Sequence, residues 1–331
     1  MLKLPPEEDP VPGPRAAAST LLAAAVLADP FVFFQPTVRL TQSDRSALEA
    51  GNAVARTVQA PSGNVAIVAA VPVRIDGARL VAWMRDIVAL KQSAVVKQIG
   101  RFAPVPSLAD VQGLTLDDAD IAEIARCRPS SCGVKLSAAE IAQLRAALGS
   151  AEPRSSPAVQ QAFREVVVAR ATAYLKAGRD SAPAPEFLET NWPALSRGLH
   201  EYPRLTLQGA ESFLYWSKDA YGGKPIVSIT HVTIVRGERE TEPDVLVVGR
   251  DVFATHYVDS AWSFTALMRA APANYLVYLN QSQVDLLDTW YGGLVRRVAE
   301  RRLREEAVDV LNGLRRRLES GDPPARTHDG S

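Results

Sequence analysis

Two histidines at predicted strand positions are the side chains of this sequence best suited to acid–base chemistry. His231 and His256 each follow a threonine inside a run of β-branched and aromatic residues. An imidazole titrates near neutral pH, so a histidine that faces a cavity can donate or accept a proton. If the two strands are neighbours, both rings can face one cavity. The competing interpretation is that both are half-buried strand residues satisfied by hydrogen bonds.

A relay between His256 and the nearby Asp259 is disfavoured by strand geometry. Successive side chains of a strand point to opposite faces, which places His256 on one face and Tyr257 with Asp259 on the other. An acid–base pair would therefore need a carboxylate from another part of the chain.

Aromatic residues of the same region form a second candidate set for a binding cavity. The set comprises Tyr215, Trp216, Tyr257, Trp262, Tyr275 and Tyr278. Such side chains line ligand cavities, but they also serve as core residues and cross-strand pairs. The predicted ligand-binding residues are His231, His256, Tyr215, Tyr257 and Tyr278.

Metal and nucleotide sites are not predicted, and no cofactor is expected. Asp117, Asp118 and Asp120 open a predicted helix, where acidic residues favour the helix dipole, and the spacing of a calcium loop is missing. Gly292 and Gly293 lack the longer spacing of a phosphate-binding loop.

The charge balance disfavours a nucleic-acid partner. The chain has 331 residues, of which 47% are hydrophobic and 22% charged, as in ordinary globular proteins. Lysine plus arginine and aspartate plus glutamate number 37 each, so there is no net field to attract a polyanion.

The elements that would position these residues are antiparallel strands followed by a long helix. Strands are predicted at 213–216, 226–235, 245–258 and 275–279, because β-branched and aromatic residues dominate there between turn-forming residues. The apolar residues of the final segment recur at helical spacing: Val295, Ala299, Leu303, Ala307, Val310, Leu314 and Leu318.

The first half of the chain is predicted to be mixed and then helical. A short helix starts with a capping box at Thr41 and Asp44, and a strand covers 64–75, where Pro72 indicates an edge or a bulge. One helix covers 78–91 and a strand 95–102. Three helices follow: one from Thr115 to about residue 126, one from Ser137 to Gly149, and one from Ser156 to about residue 176.

The N-terminus and the cysteines bear on the compartment. Residues 15–28 resemble a signal peptide cleaved after Ala28, although acidic residues precede them; the alternative is a Pro-rich leader followed by an Ala-rich helix. Cys127 and Cys132 are close enough in sequence for a disulfide, which would fit an oxidising compartment; the alternative is two buried thiols. These features predict a periplasmic or secreted protein. The alternative is a cytoplasmic protein.

The arrangement resembles START-like, helix-grip domains, the polyketide cyclase and lipid-transfer superfamily. The resemblance lies in a strand ending at residues 71–78 that runs into a helix at 79–86, and in the later strands with their long final helix. It covers residues 65–102 and 211–318, with 104–207 as a helical insertion. It implies an α+β fold, in which an antiparallel sheet grips the C-terminal helix around a hydrophobic cavity. The predicted organisation is a leader at 1–28, the first part of the START-like domain at 29–103, the inserted subdomain at 104–207, the sheet and C-terminal helix at 208–319, and a disordered tail at 320–331.

The predicted function is the binding or transport of an apolar, lipid-like molecule between the sheet and the final helix. The first alternative is an enzyme of the cyclase or hydratase type that uses His231 or His256 as general acid or base. The second is a non-catalytic protein-interaction module. The many arginines of the final helix are interleaved with acids, which is typical of a solvated face, but they also allow a transient contact with a membrane surface.

Overall fold

The protein is an α+β fold built on one antiparallel sheet, as the sequence predicts. The computed structural model describes residues 29–60, 63–128, 131–149, 156–177, 185–203, 207–220, 223–285, 292–321 and 323, without the side chains of 292–299 and 302. The predicted leader and most of the predicted tail lie outside the described residues.

Eight strands form the sheet, in the order β1-β2-β8-β7-β6-β5-β4-β3. They are β1 (Val54–Val58), β2 (Asn64–Val73), β3 (Val96–Arg101), β4 (Glu211–Asp219), β5 (Ile226–Arg236), β6 (Val245–Ala254), β7 (Val258–Met268) and β8 (Asn274–Val284). Every neighbouring pair is antiparallel. The strands of the second half therefore sit in the middle of the sheet, and the strands of the first half form its edges.

The described α-helices lie on both faces of this sheet. They are α1 (Gln42–Glu49), α2 (Gly77–Arg85), α3 (Ile87–Lys91), α4 (Asp118–Arg126), α5 (Ala138–Leu148), α6 (Pro157–Ala177), α7 (Glu186–Asn191), α8 (Pro193–His200) and α9 (Gly292–Glu319). Short 3-10 turns cover Val32–Phe34 and Leu108–Val111.

One face of the sheet, here called the α6 face, packs against the helices of the middle of the chain. Leu214, Trp216 and Ile229 pack against α4, α5 and α6, and farther along the sheet Val248 and Phe264 pack against α7, α8 and the first 3-10 turn. Residues 104–200 contribute their helices to this face.

The opposite face, here called the α9 face, packs against α2, α3 and the second half of α9. Its apolar residues include Val71, Val232 and Val247, which join a cluster with Leu311 and Leu318 of α9. Helix α9 lies chiefly over β2 and β1. A long C-terminal helix packed on the sheet confirms the coarse architecture expected from the sequence.

Among its described side chains, the apolar stripe of α9 differs from the predicted one at a single position, while Val295 and Ala299 of the predicted stripe lie outside them. Leu311 is buried, whereas Val310 is 62% exposed. The buried and half-buried residues Ala307, Leu311, Leu314 and Leu318 follow steps of four, three and four. That row is the one an α-helix presents to a neighbour over three turns, so the prediction of Val310 as a core residue is wrong.

Strand β2 lies between β1 and β8, but Pro72, predicted to mark an edge or a bulge, lies at an end of β2 that has only one neighbouring strand. It pairs with β8 along its whole length, whereas its ladder with β1 stops at Ala70. Pro72 thus lies where β2 has lost one neighbour, so its missing N–H leaves no gap in the β1 ladder.

Two further boundaries differ from prediction. The helix expected over 78–91 breaks at Asp86, whose carboxylate accepts from the amide of Ala89 (3.5 Å) and so starts α3. The strand expected over 245–258 ends at Ala254, and residues 255–257 form the turn of a hairpin.

Candidate functional site: a polar recess on the α9 face

The α9 face has a polar area between the helices that cover its margins. Helix α9 covers β1 and β2, α3 contacts β3, and α2 contacts β6 near Val245. Between these helices, strands β4 to β8 carry polar residues at the end of the sheet that lies near the β6–β7 turn. These are Tyr215, Ser217, Asp219, Ser228, Thr230, Asp251, Ser263, Tyr278 and Asn280, here called the polar floor.

The register of the strands brings these residues onto one face. Tyr215 pairs with Thr230, Thr230 with Asp251, and Ser263 with Asn280. Asp251 continues the alternation of Val245 and Val247 and so lies on the α9 face, whereas the bulge at Val252 places Phe253 on the α6 face.

Two carboxyl groups lie in the polar floor with few hydrogen-bond donors. The hydroxyl of Thr230 donates to Asp251 (2.7 Å), and the hydroxyl of Ser217 donates to Asp219 (2.8 Å). The second oxygen of Asp219, Oδ1, is buried and has no partner among the described residues. An orphaned buried acceptor costs about 1–3 kcal/mol unless a donor is supplied.

Lys91 and two tyrosines complete the titratable groups of the floor. Lys91, the last residue of α3, donates from Nζ to the Tyr215 hydroxyl (2.8 Å) and lies 4.8 Å from the centre of its ring. Tyr278 reaches the same area from β8 and shares a hydrogen bond with the side chain of Asn280. A lysine, two tyrosines and two carboxyls therefore meet on one sheet face.

The pKa values show that the floor is desolvated. Burial raises the pKa of Asp251 from 3.8 to about 6, and the charge of Asp219 adds to the shift. Burial also raises the pKa of Asp219 and raises that of Tyr278 to about 12. Yet Asp251 and Tyr278 keep part of their surface accessible, as do Ser263 and Asn280. From this combination of desolvation and partial accessibility we infer that the polar floor lines a recess.

Of the predicted site residues, the structure brings Tyr215 and Tyr278 together in this recess. His231 lies on the opposite face, because its neighbours Thr230 and Val232 are the residues of β5 that face α9. His256 and Tyr257 lie in the β6–β7 turn. The expectation that the two histidines face one cavity is therefore corrected by the position of His256 beyond the end of β6.

His231 is packed into a buried aromatic group on the α6 face. Its Nδ1 lies 2.7 Å from the hydroxyl of Tyr174 on α6, and its ring centre lies 4.4 Å from that of Tyr202. The hydroxyl of Tyr202 is also hydrogen-bonded to the hydroxyl of Thr233. Burial and the charge of Arg250 lower the pKa of His231 to about 4. A neutral, hydrogen-bonded imidazole matches the structural interpretation offered for it from sequence.

His256 joins the β6–β7 turn to α4. Its Nδ1 lies 2.9 Å from the carbonyl oxygen of Gly133, and its Nε2 lies 3.1 Å from Asp120. Lys224 also pairs with Asp120 (3.4 Å) and contacts Glu123. Burial opposes ionisation of Asp120, but the His256 bond and the Lys224 charge outweigh it and lower its pKa. Both ring nitrogens of His256 therefore have structural partners.

Tyr257 has a positive φ of 59°, which is uncommon for a residue with a side chain. The amide of Val258 donates to the carbonyl of His256 (2.6 Å), which closes a tight turn around Tyr257. Its hydroxyl accepts from the amide of Lys224 (3.3 Å). Tyr257 thus stabilises two neighbouring hairpins and lies outside the recess.

The predicted disulfide is present. Cys127 and Cys132 are bonded, with their Cα atoms 5.0 Å apart, at the end of α4. Among the described residues no group of three potential ligands could hold a metal ion, and no described helix is long and apolar enough to cross a membrane.

A surface depression of about 460 Å³ lies elsewhere, at the ends of β2 and β8. Its polar residues serve the local structure: Asn274 donates to the carbonyl of Ile75 (2.8 Å), and Asp76 caps α2 through the amide of Arg79 (2.8 Å). The polar floor is the stronger candidate, because desolvated ionisable groups converge there and not among the residues that line this depression.

Sequence reasoning missed Lys91, Asp219 and Asp251. The available signal was the charged pair Arg250-Asp251 inside an otherwise apolar strand, since buried charges in a sheet need partners or a function. Lys91 and Asp219 end their elements and gave no such signal.

Comparisons with known proteins leave the family open. No family model matches the chain, and no curated protein matches it. Among solved structures, it is similar to the crystal structure of TTHA0849 from Thermus thermophilus, with 14% identity, covering 42% of this chain and 92% of that one, at a TM-score of 0.27. A likeness at that score carries no argument about fold or function.

Proposed function

We propose that the protein is a START-like, helix-grip carrier that binds an apolar small molecule between the sheet and its C-terminal helix. The observation that carries the proposal is the desolvated polar floor, where Asp251 and Tyr278 have raised pKa values yet retain accessible surface. Ionisable groups with perturbed pKa values that converge in a cleft are candidates for a binding or active site.

The surroundings of the floor suit an apolar ligand body. Val232 and Val247 of the same face and Ile99 of β3 belong to the apolar cluster that adjoins the floor. Apolar contact contributes about 25 cal/mol per Å² removed from water, whereas the polar groups fix the orientation of the ligand. The disulfide supports the accompanying proposal of an exported protein.

An enzyme is the second candidate, and one observation favours it. Asp251, with a pKa of about 6, is suited to proton transfer near neutral pH. If the protein is an enzyme, Asp251 would be the general acid or base in place of His231 and His256, because both histidines are hydrogen-bonded to structural partners.

Native mass spectrometry of protein purified from its own host, followed by organic extraction, tests the carrier proposal. The structure supplies a blocking variant, Ser263→Phe, because Ser263 is half-buried in the floor and a phenyl ring there fills the recess. The matched control is Ser212→Phe, a serine exposed on β4 of the same sheet. We expect a stoichiometric apolar ligand in the wild type and the control, and none in the Ser263 variant.

Both variants must first show wild-type circular dichroism and cooperative unfolding. A folded wild-type protein that carries no extractable molecule, and that binds no apolar probe whose uptake the Ser263 variant blocks, contradicts the carrier proposal. Turnover that depends on Asp251 would instead favour the enzyme.

A further inference from the structure

We infer that the ligand of the recess carries a protonated amine next to its apolar body, so that the recess selects cationic amphiphiles. This inference rests on the proposed binding function and names the class of ligand. It comes from the charges, the vacant acceptors and the aromatic rings of the polar floor.

Among the described residues, the polar floor together with Lys91 has one more carboxyl group than it has basic side chains. The described side chains that act electrostatically on Asp251 are Asp219 of β4, Lys91 of α3 and Tyr278 of β8. Lys91 is the single cation among them, against two carboxyls. A ligand with one positive charge would neutralise the remaining negative charge in a place where water does so poorly.

The hydrogen-bonding capacity of the carboxyls points to a donor-rich ligand group. An ionised carboxylate can accept about four hydrogen bonds. Asp251 receives one from Thr230, and Asp219 receives one from Ser217, while the Oδ1 of Asp219 has none from the described residues. An ammonium group brings three donors, whereas an alcohol brings one and a carboxylate brings none at neutral pH.

The aromatic rings of the floor are also suited to a cation. The ammonium of Lys91 lies 4.8 Å from the centre of the Tyr215 ring, a cation–π geometry within the floor itself. Tyr278 offers a second, partly accessible ring beside Asp251. Carboxylates combined with tyrosine rings form the kind of site that recognises ammonium ligands.

The test compares three probes with the same chain and different end groups: decylamine, 1-decanol and decanoic acid. Binding to the full chain is measured by isothermal titration calorimetry at pH 7.5 and at pH 5, below the micelle concentration of decylamine and decanoic acid and below the solubility limit of decanol. We expect decylamine to bind at least tenfold more tightly than decanol at pH 7.5. Its advantage should shrink at pH 5, because protonation of Asp251 removes the charge that pairs with the ammonium.

The decisive variant is Asp251→Asn, with Asp309→Asn as the charge-matched control, because Asp309 is exposed on α9. The Asp251 variant should bind decylamine and decanol within about threefold of each other, and the control should keep the tenfold preference. Asp219→Asn gives a second test if the Asp251 variant does not fold, and it should also reduce the preference.

The outcomes separate this inference from the proposed function. If all three probes bind with similar affinity and Ser263→Phe blocks them all, the recess is a binding site but the amine selectivity is wrong. Preference for decanoic acid also overturns the inference. If no probe binds, both the inference and the carrier function are contradicted.

Discussion

Replacing Asp251 by asparagine should stabilise the protein at neutral pH, which is unusual for a buried polar residue. The native pKa of Asp251 is about 6, against 3.8 for an aspartate in water. The native state therefore holds the proton more tightly than the unfolded state between these two values. Stability from this group is present below pH 3.8 and is lost as the pH rises to 6, because the unfolded chain ionises first.

The magnitude follows from the size of the shift. A difference of about two pKa units corresponds to about 3 kcal/mol that Asp251 costs the folded protein above pH 6. Asparagine is neutral at every pH and can still accept the hydrogen bond from Thr230. We expect Asp251→Asn to raise the free energy of unfolding by roughly 1–3 kcal/mol at pH 8, and by a few tenths of a kcal/mol at pH 4.

Urea unfolding of both proteins at pH 4, 5, 6, 7 and 8 measures this difference. Taking the difference between variant and wild type matters, because His231 has the opposite dependence: its lowered pKa makes stability rise with pH between about 4 and 6.5. A variant that is less stable at pH 8, or a difference that does not change with pH, would refute the electrostatic description of the recess.

Three further perturbations test other parts of the structure. Reducing the Cys127–Cys132 bond, or replacing both cysteines by serine, should lower the free energy of unfolding by roughly 2 kcal/mol from loop entropy, measured by urea unfolding with and without reductant. Replacing His231 by alanine should cost roughly 2–4 kcal/mol, because it leaves a cavity and an unpaired hydroxyl; in the wild type, nuclear magnetic resonance should show this ring neutral down to about pH 4. Asp120→Asn should cost about 1–3 kcal/mol at pH 7 by weakening the ion pair with Lys224 and the hydrogen bond with His256, whereas Asp309→Asn at an exposed position of α9 should change stability by less than about 0.5 kcal/mol. Equal effects of the two aspartate variants would contradict the structural role given to the contact between Asp120 and His256.

The elements that the sequence predicts correctly depend on local chemistry. The capping boxes at Thr41 and Ser137 are present and start α1 and α5, and the hydroxyl of Ser156 accepts from the amide of Val159 (3.3 Å) at the start of α6. In each case the signal and the structure lie within three or four residues, so no knowledge of the rest of the fold is needed.

The missed strands depend on contacts far along the chain. β1 is five residues long and β7 mixes Ser, Thr and Ala with aromatic residues, so neither shows the alternation of a half-buried strand. Helices cover both faces of the sheet, which removes the polar-apolar alternation of strands that face water on one side.

The recess depends on register, which sequence patterns do not contain. Asp251 and Tyr215 share a face only because β4, β5 and β6 pair as they do, and the bulge at Val252 decides the direction of the residues beyond it. The sequence groups His231 with Tyr215 as cavity residues, yet pairing of the strands puts them on opposite faces. Prediction from a single sequence therefore supplies candidates but cannot sort them by face.

The hairpin of β6 and β7 bears on how the protein opens locally. Their shared ladder ends at Asp251 and Ala261, while beyond it Ala254 still pairs with β5 and Val258 with β8. The end of β6 thus stays paired with β5 and the start of β7 stays paired with β8. These two ends can therefore move apart while both remain in the sheet. We therefore expect the tip, residues 255–257, to exchange as a small unit that is held by the bonds of His256 to Asp120 and Gly133 and by backbone bonds to Lys135 and Asp285. Its opening would widen one end of the recess, so exchange at the tip should slow when the recess is filled.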